Sequence, residues 1–254
     1  MSVLSTEIKN TPLLTDANIK GYFRMENGAL TTDSSGAGRT LTNTNSVING
    51  GETIFGLGND CADFGTTNTN KGLYRADDMG LGTGAFTFSM WVKMRTEISS
   101  GEQFFLHYGA SGGVRGGILY QYNGGTRRLN FIRTKEAVAD QSALYNITLG
   151  TANVYHIGFV FNGSTLYGYV NGANVTNGAA SGTGSAFVNT FTIGSAYNGG
   201  YAPAPIYAED VVIFNRALSD AEMLKIYNGN WFTATTNQLV KYRRTRTAGS
   251  VSGV

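Results

Sequence analysis

The chain is poor in the residues that staple, stiffen or charge a fold. It has one cysteine, Cys61, among 254 residues, so no intrachain disulfide can form. In the short, strand-like setting Cys61-Ala62-Asp63-Phe64 it reads as a small buried hydrophobe. There are three prolines and no Gly-X-Y period, which excludes collagen. Charged residues are 14% of the total against a typical ~25%, yet aromatics are 12%, a pairing that argues against disorder. No apolar run approaches the ~20 residues of a membrane span. The opening MSVLSTEIKNTPLL has no basic stretch leading into an apolar one, so no signal peptide is expected. The two histidines, His107 and His156, sit apart in apolar strand-like stretches (FFLHYGA and VYHIGFVF). They read as structural, and with one cysteine they offer neither zinc spacing nor a nucleophile's base.

What is abundant is glycine, at 35 residues roughly double average usage, interleaved with Asn, Ser and Thr. Short β segments separated by turns follow from this. Val154–Phe161, Thr165–Val170 and Ala173–Thr176 are joined by Asn162-Gly163 and Asn171-Gly172, dipeptides that tolerate the positive φ of hairpin turns and so predict a meander. Gly117–Tyr122 and Arg128–Arg133 form another hairpin around Asn123-Gly124-Gly125. Ala85–Lys93 alternates, with Phe86, Phe88, Met90 and Val92 on one side and Thr87, Ser89, Trp91 and Lys93 on the other, and reads as half-buried. One helix is signalled: Ser219-Asp220-Ala221-Glu222 is a capping box, and Gly229 marks its stop. At about two turns it is too short to stand alone and must pack on the preceding strand, Ile206–Phe214, which is apolar on both faces near its end. The expected fold is all-β, a two-sheet antiparallel sandwich with one short C-terminal helix. Residues 18–229 form its body, 1–17 an N-terminal arm and 230–254 a basic C-terminal tail.

The net charge of +2 is unevenly spread. Lys241, Arg243, Arg244 and Arg246 lie in the last 14 residues without an acid; removing those four from the total of 19 leaves 15 basic against 17 acidic residues. A nucleic-acid partner is therefore disfavoured, because its basic excess belongs on the body.

In order along the chain come Gly21-Tyr22-Phe23-Arg24-Met25-Glu26, Asp33-Ser34-Ser35-Gly36, Phe86-Thr87-Phe88-Ser89-Met90-Trp91-Val92-Lys93 and Val154-Tyr155-His156-Ile157. Then follow Tyr169-Val170-Asn171-Gly172, Phe191-Thr192-Ile193-Gly194 and Glu209-Asp210-Val211-Val212-Ile213-Phe214-Asn215-Arg216-Ala217-Leu218-Ser219. This series resembles the laminin-G-like group of the concanavalin A-like lectin/glucanase superfamily over about residues 18–228. Val154 stands where that group has tryptophan, Ala208 replaces an isoleucine, and Glu209-Asp210 reverses an Asp-Glu pair. The resemblance implies a jelly roll and, as commonest role, carbohydrate or protein binding.

Its β-glucan-cleaving members carry acids at i, i+2 and i+5 on one strand, where alternation aims the first two at the sugar. No glutamate here has an acid two residues on, and adjacent Glu209 and Asp210 are expected on opposite strand faces. Gly80-Leu81-Gly82-Thr83-Gly84 precedes a strand, lacks the helix dipole of a phosphate loop, and reads as a plain loop. Asn146, Asn162 and Asn174 head glycosylation-type triplets that chance explains in an Asn/Thr-rich chain. No cofactor is required; calcium is the one metal candidate, at Asp33, Glu209 and Asp210, with an Asx turn as the competing role for Asp33. Among 14 tyrosines, Tyr120, Tyr122, Tyr197 and Tyr201 are the candidates for stacking on sugars, the last two flanking glycines in YNGGY.

Adhesion-like composition without a secretion signal suggests a non-enzymatic structural or surface-binding protein of a bacteriophage particle, a capsid-decoration or tail protein that binds glycans. Its expected place is the virion surface. Expected partners are virion or surface proteins engaged through the arms, host-surface glycans, and further copies in a homo-oligomer or larger assembly. The alternatives are a cellular lectin-like module, extracellular or on the cell surface, and a glycoside hydrolase with a non-standard site.

Overall fold

The computed structural model describes residues 16–25, 28–50, 54, 61–66, 70–109, 115–133, 141–176, 178–180 and 190–228. The arm and tail readings, apart from Asp16 and Ala17, lie outside these residues, as does Gly229. The described strands are β1 (Ile19–Phe23), β2 (Thr42–Thr44), β3 (Ile48–Asn49), β4 (Ala62–Asp63), β5 (Gly72–Arg75), β6 (Phe86–Met94), β7 (Gly101–Gly109) and β8 (Arg115–Asn123). Then come β9 (Thr126–Arg133), β10 (Gln141–Asn146), β11 (Val154–Phe161), β12 (Thr165–Val170), β13 (Ala173–Asn174), β14 (Ala179–Ala180), β15 (Phe191–Ile193) and β16 (Ile206–Phe214), followed by the helix α1 (Asp220–Tyr227). They form two antiparallel sheets. The first runs β13-β12-β11-β6-β16-β4-β3, with β1 paired to β16 and β14 to β12; the second runs β10-β9-β8-β7-β15-β5-β2. The meander and the hairpin stand where the Asn-Gly and Gly-Gly turns predict them.

Inward side chains of both sheets interdigitate in one aromatic core, the expected way of holding a sandwich together. Phe86 meets Phe159 edge-on at 5.3 Å, and Phe131 of the second sheet lies 5.8 Å from Phe159 of the first.

The outer face of the first sheet is covered as well, which corrects the half-buried reading of β6. Thr87, Ser89 and Trp91 are buried along with Phe86, Phe88, Met90 and Val92. The cover is α1, whose Met223 and Ile226 pack with Tyr22, Val160, Tyr169, Val212 and Phe214. Its capping box is formed: the Ser219 side chain accepts from the Glu222 N–H, and the Glu222 carboxylate accepts from the Ser219 N–H. Gly158 makes the close approach of helix to sheet feasible, since a Cβ there would sit 2.1 Å from Met223 Cε. Further along, Trp91 packs with Ile54 and Cys61 and stacks on Tyr227 at 5.7 Å. Asp16 pairs with Arg216 Nε at 2.6 Å, tying a residue of the expected arm to the body.

The adjacency argument for Glu209 and Asp210 also needs correction. Ala208 and Val211 both face the core, so two residues rather than one separate them. The register against β6 shifts between Glu209 and Val212, a β-bulge in which Asp210 takes φ +49°. The bulge turns Asp210 to the helix-bearing side, where its Oδ1 accepts the Tyr22 hydroxyl at 2.6 Å.

Candidate functional site

With one sheet covered, the outer face of the second is where a ligand can reach a β surface. Register across this sheet fixes which side chains share a row. Asn146, Arg128, Gln121 and Glu102 lie side by side on β10, β9, β8 and β7. The next row is Leu144, Asn130, Leu119 and Phe104. The loop after β15 lies over part of the face, with Ala196, Tyr197 and Ala202 packed on Phe104, Leu119 and Ile132.

The polar row is internally ordered. Gln121 donates through Nε2 to Glu102 Oε2 (3.1 Å), and its Oε1 accepts from Arg128 Nε and Asn130 Nδ2, both at 3.3 Å. Asn130 is 7% exposed and its Oδ1 has no hydrogen-bond partner among the described residues.

At the β7 end the row meets a cleft of about 520 Å³ between the segments 97–103 and 200–203, with Asn70 on its wall. Tyr201 forms its rim. The residue is 48% exposed, its ring lies 6.5 Å from Phe104 and 5.8 Å from Tyr197, and its hydroxyl donates to Glu102 Oε1 at 3.4 Å. Gln103 lines the cleft, 9% exposed, and its buried Oε1 lacks a partner among the described residues. Glu97, also on the lining, is ion-paired to Arg127 at 3.2 Å.

The four tyrosines therefore separate. Tyr201 and Tyr197 are brought together at this site, Tyr201 exposed and Tyr197 half-buried with its ring edge-on to His107 at 4.6 Å. Tyr120 points into the core instead: its hydroxyl accepts from the Leu149 N–H (2.8 Å) and donates to Ile147 O (3.4 Å). Burial raises its pKa, partly offset by the Leu149 bond. Tyr122 is half-buried against the core edge beneath the Arg127 guanidinium, 5.1 Å from its ring centre.

The calcium candidates do not converge into a cluster; among the described residues no group of three or more His, Cys, Asp or Glu is placed to hold a metal. Asp33 forms the Asx turn: Oδ1 accepts from the N–H groups of Tyr22 (3.1 Å) and Ser35 (2.8 Å), and Oδ2 from that of Arg39 (3.0 Å). Burial raises its pKa, but the bonds to Ser35, Arg39 and Tyr22 outweigh that and hold it below the usual carboxylate range. Asp210 is spoken for by Tyr22, and half-buried Glu209 sits opposite Trp91.

Both histidines are buried in the strands. His156 Nε2 lies 2.8 Å from Ser89 Oγ, a pairing shut beneath α1 and Tyr227 and closed to substrate. Sequence reasoning passed over Glu102, Gln103, Gln121, Arg128 and Asn130. Alternation in the strands that carry them puts Glu102, Gln121, Arg128 and Asn130 on one face, but which face is open depends on how the sheets pack.

Two antiparallel sheets packed as a sandwich, with one short helix across the first, are the jelly roll that the sequence resemblance implies. The chain belongs to the concanavalin A-like lectin/glucanases superfamily, whose sequence profile matches residues 66–223. No curated protein matches it by sequence.

Among solved structures, domain 4 of AbnA, a GH43 extracellular arabinanase from Geobacillus stearothermophilus, in complex with arabinotriose, is similar at TM-score 0.62 and 15% identity. That similarity covers 83% of this chain and 98% of that one. The binding domain of botulinum neurotoxin DC in complex with SialylT gives 0.65 and 14%, covering 84% of this chain, which spans about half of that domain (52%). Trypanosoma rangeli sialidase in complex with the inhibitor DANA gives 0.57 and 17%, covering 82% of this chain and 32% of the sialidase. At these identities the likeness is one of fold.

Proposed function

We propose that the protein is a non-catalytic carbohydrate-binding domain that engages glycans where the open face of the second sheet meets the Tyr201 cleft. The observation that carries this reading is the exposed Tyr201 set beside the half-buried polar row of the second sheet. A sugar's C–H face packs on such a ring, while the half-buried Glu102 carboxylate offers acceptors to its hydroxyls. The arabinotriose and SialylT complexes of the similar structures support a carbohydrate as ligand.

Binding without hydrolysis is supported by the setting of the two cleft carboxylates. Both are engaged by protein groups, Glu97 by Arg127 and Glu102 by Gln121 and Tyr201, as expected of residues that shape a binding surface.

The setting we propose is the surface of a bacteriophage particle, with residues 18–229 as the domain and the segments 1–17 and 230–254 as the means of attachment. Adhesion-like composition and the basic cluster Lys241, Arg243, Arg244 and Arg246 support it. The test of binding is a glycan array probed with the full chain and with Tyr201→Ala. Retention of the same glycans by the variant counts against the site. Absence of the protein from purified particles at fixed stoichiometry counts against the setting.

A further inference from the structure

The polar row differs from a generic sugar-binding surface in how its one guanidinium is held. Arg128 spends its Nε on Gln121 Oε1, and Gln121 is fixed in turn by Glu102 and Asn130. Arg128 is half-buried, and neither Nη group has a hydrogen-bond partner among the described residues. The result is a planar fork, oriented in advance, with donors left over on the ligand-facing sheet. A bidentate acceptor of opposite charge, a carboxylate, matches that geometry better than a lone hydroxyl.

Charge along the row gives it a direction. Glu102 lies two strands from Arg128, about 10 Å at ordinary strand spacing. That is roughly one Debye length at physiological ionic strength, so its repulsion of an anion docked on Arg128 is screened, whereas the fork is in direct contact. At the Tyr201 end the Glu102 carboxylate is adjacent, accepts from hydroxyls and repels acids. Four strands wide, the row has room for an oligosaccharide rather than a single sugar.

Resting on the carbohydrate-binding reading above, we infer that the ligand is a carboxylated oligosaccharide, with an acidic sugar on the Arg128 fork and a neutral unit stacked on Tyr201.

The experiment is calorimetric titration of the full chain with two matched pairs, tri-galacturonate and its methyl ester, and sialyllactose and its methyl ester, each at low and physiological salt. The wild type is compared with Arg128→Gln, Arg128→Lys and Tyr201→Ala, with melting curves to confirm folding. The inference predicts that at least one free acid binds about tenfold or more tightly than its ester and that Arg128→Gln abolishes the preference. Arg128→Lys should retain only part of it, because charge remains while the fork is lost. Equal binding of acid and ester, or a preference that survives Arg128→Gln, overturns the inference; if Tyr201→Ala still abolishes that binding, the carbohydrate reading stands. Binding of neither pair, with an array that is also blank, overturns both.

Discussion

Replacing Asp33 discriminates between a loop organiser and a metal ligand. Its two oxygens take three backbone N–H groups, two on Oδ1 and one on Oδ2, and join the loop after β1 to Tyr22 and Arg39. In Asp33→Asn the carbonyl oxygen can keep the Tyr22 and Ser35 bonds, but an amide NH2 then confronts the Arg39 N–H. One charge-assisted bond is lost and a donor faces a donor, a cost of about 2 kcal/mol. Asp33→Ala strips all three bonds, at about 3–4 kcal/mol. With a urea m value of about 2 kcal/mol/M, the asparagine variant's midpoint should fall by about 1 M with m unchanged. Because Asp33's folded pKa is depressed, its stabilisation is fully present above the unfolded carboxyl value of about 3.9 and is lost as pH falls through the folded value. The gap between wild type and Asp33→Asn is therefore full at pH 7 and shrinks in acid. Urea curves at pH 7 and pH 3, each with calcium or EDTA, measure all of this. An Asp33→Asn midpoint within experimental error of wild type, together with a wild type that EDTA destabilises, refutes the loop-organiser reasoning and restores a metal role.

Met223→Ala should cost about 2–5 kcal/mol by opening a cavity between α1 and the first sheet, read as a urea midpoint shift, yet leave glycan affinity unchanged. Ser219→Ala should cost about 1 kcal/mol through loss of the N-cap bond, in the same assay. Reducing-sugar assays on laminarin, lichenan and arabinan should show no release by the purified chain; release that disappears in Glu97→Gln or Glu102→Gln would make the cleft an active site. Deleting residues 230–254 should weaken association in sedimentation experiments while leaving the monomer's melting transition nearly unchanged.

Much of the fold was legible because its signals are local. Asn162-Gly163 and Asn171-Gly172 dictate hairpins whatever surrounds them, and the Ser219–Glu222 box dictates a helix start. What misled was non-local. The alternation of β6 is real, yet its second face is buried because a helix some 130 residues later lies across it. The bulge at Asp210 leaves no mark in a pattern that assumes period two.

The site divides the same way. Glycines flanking Tyr197 and Tyr201 pointed to a surface loop, and Tyr201 is there. Tyr120, two residues from Tyr122 in the same hairpin, faces the core because its hydroxyl is satisfied by backbone groups near residue 148 that only the fold supplies. Glu102, Gln121 and Arg128 become a row only once β7, β8 and β9 pair in register.

The most direct test of where the ligand sits is a ¹H–¹⁵N NMR titration of the full chain with a glycan identified on the array. The account predicts shift changes at Glu102, Gln103, Gln121, Arg128 and Tyr201, with the amides of α1 and of the Asp33 loop unmoved. Changes concentrated on α1 and Tyr227, or on the Asp33 loop, with the second sheet silent, would contradict it.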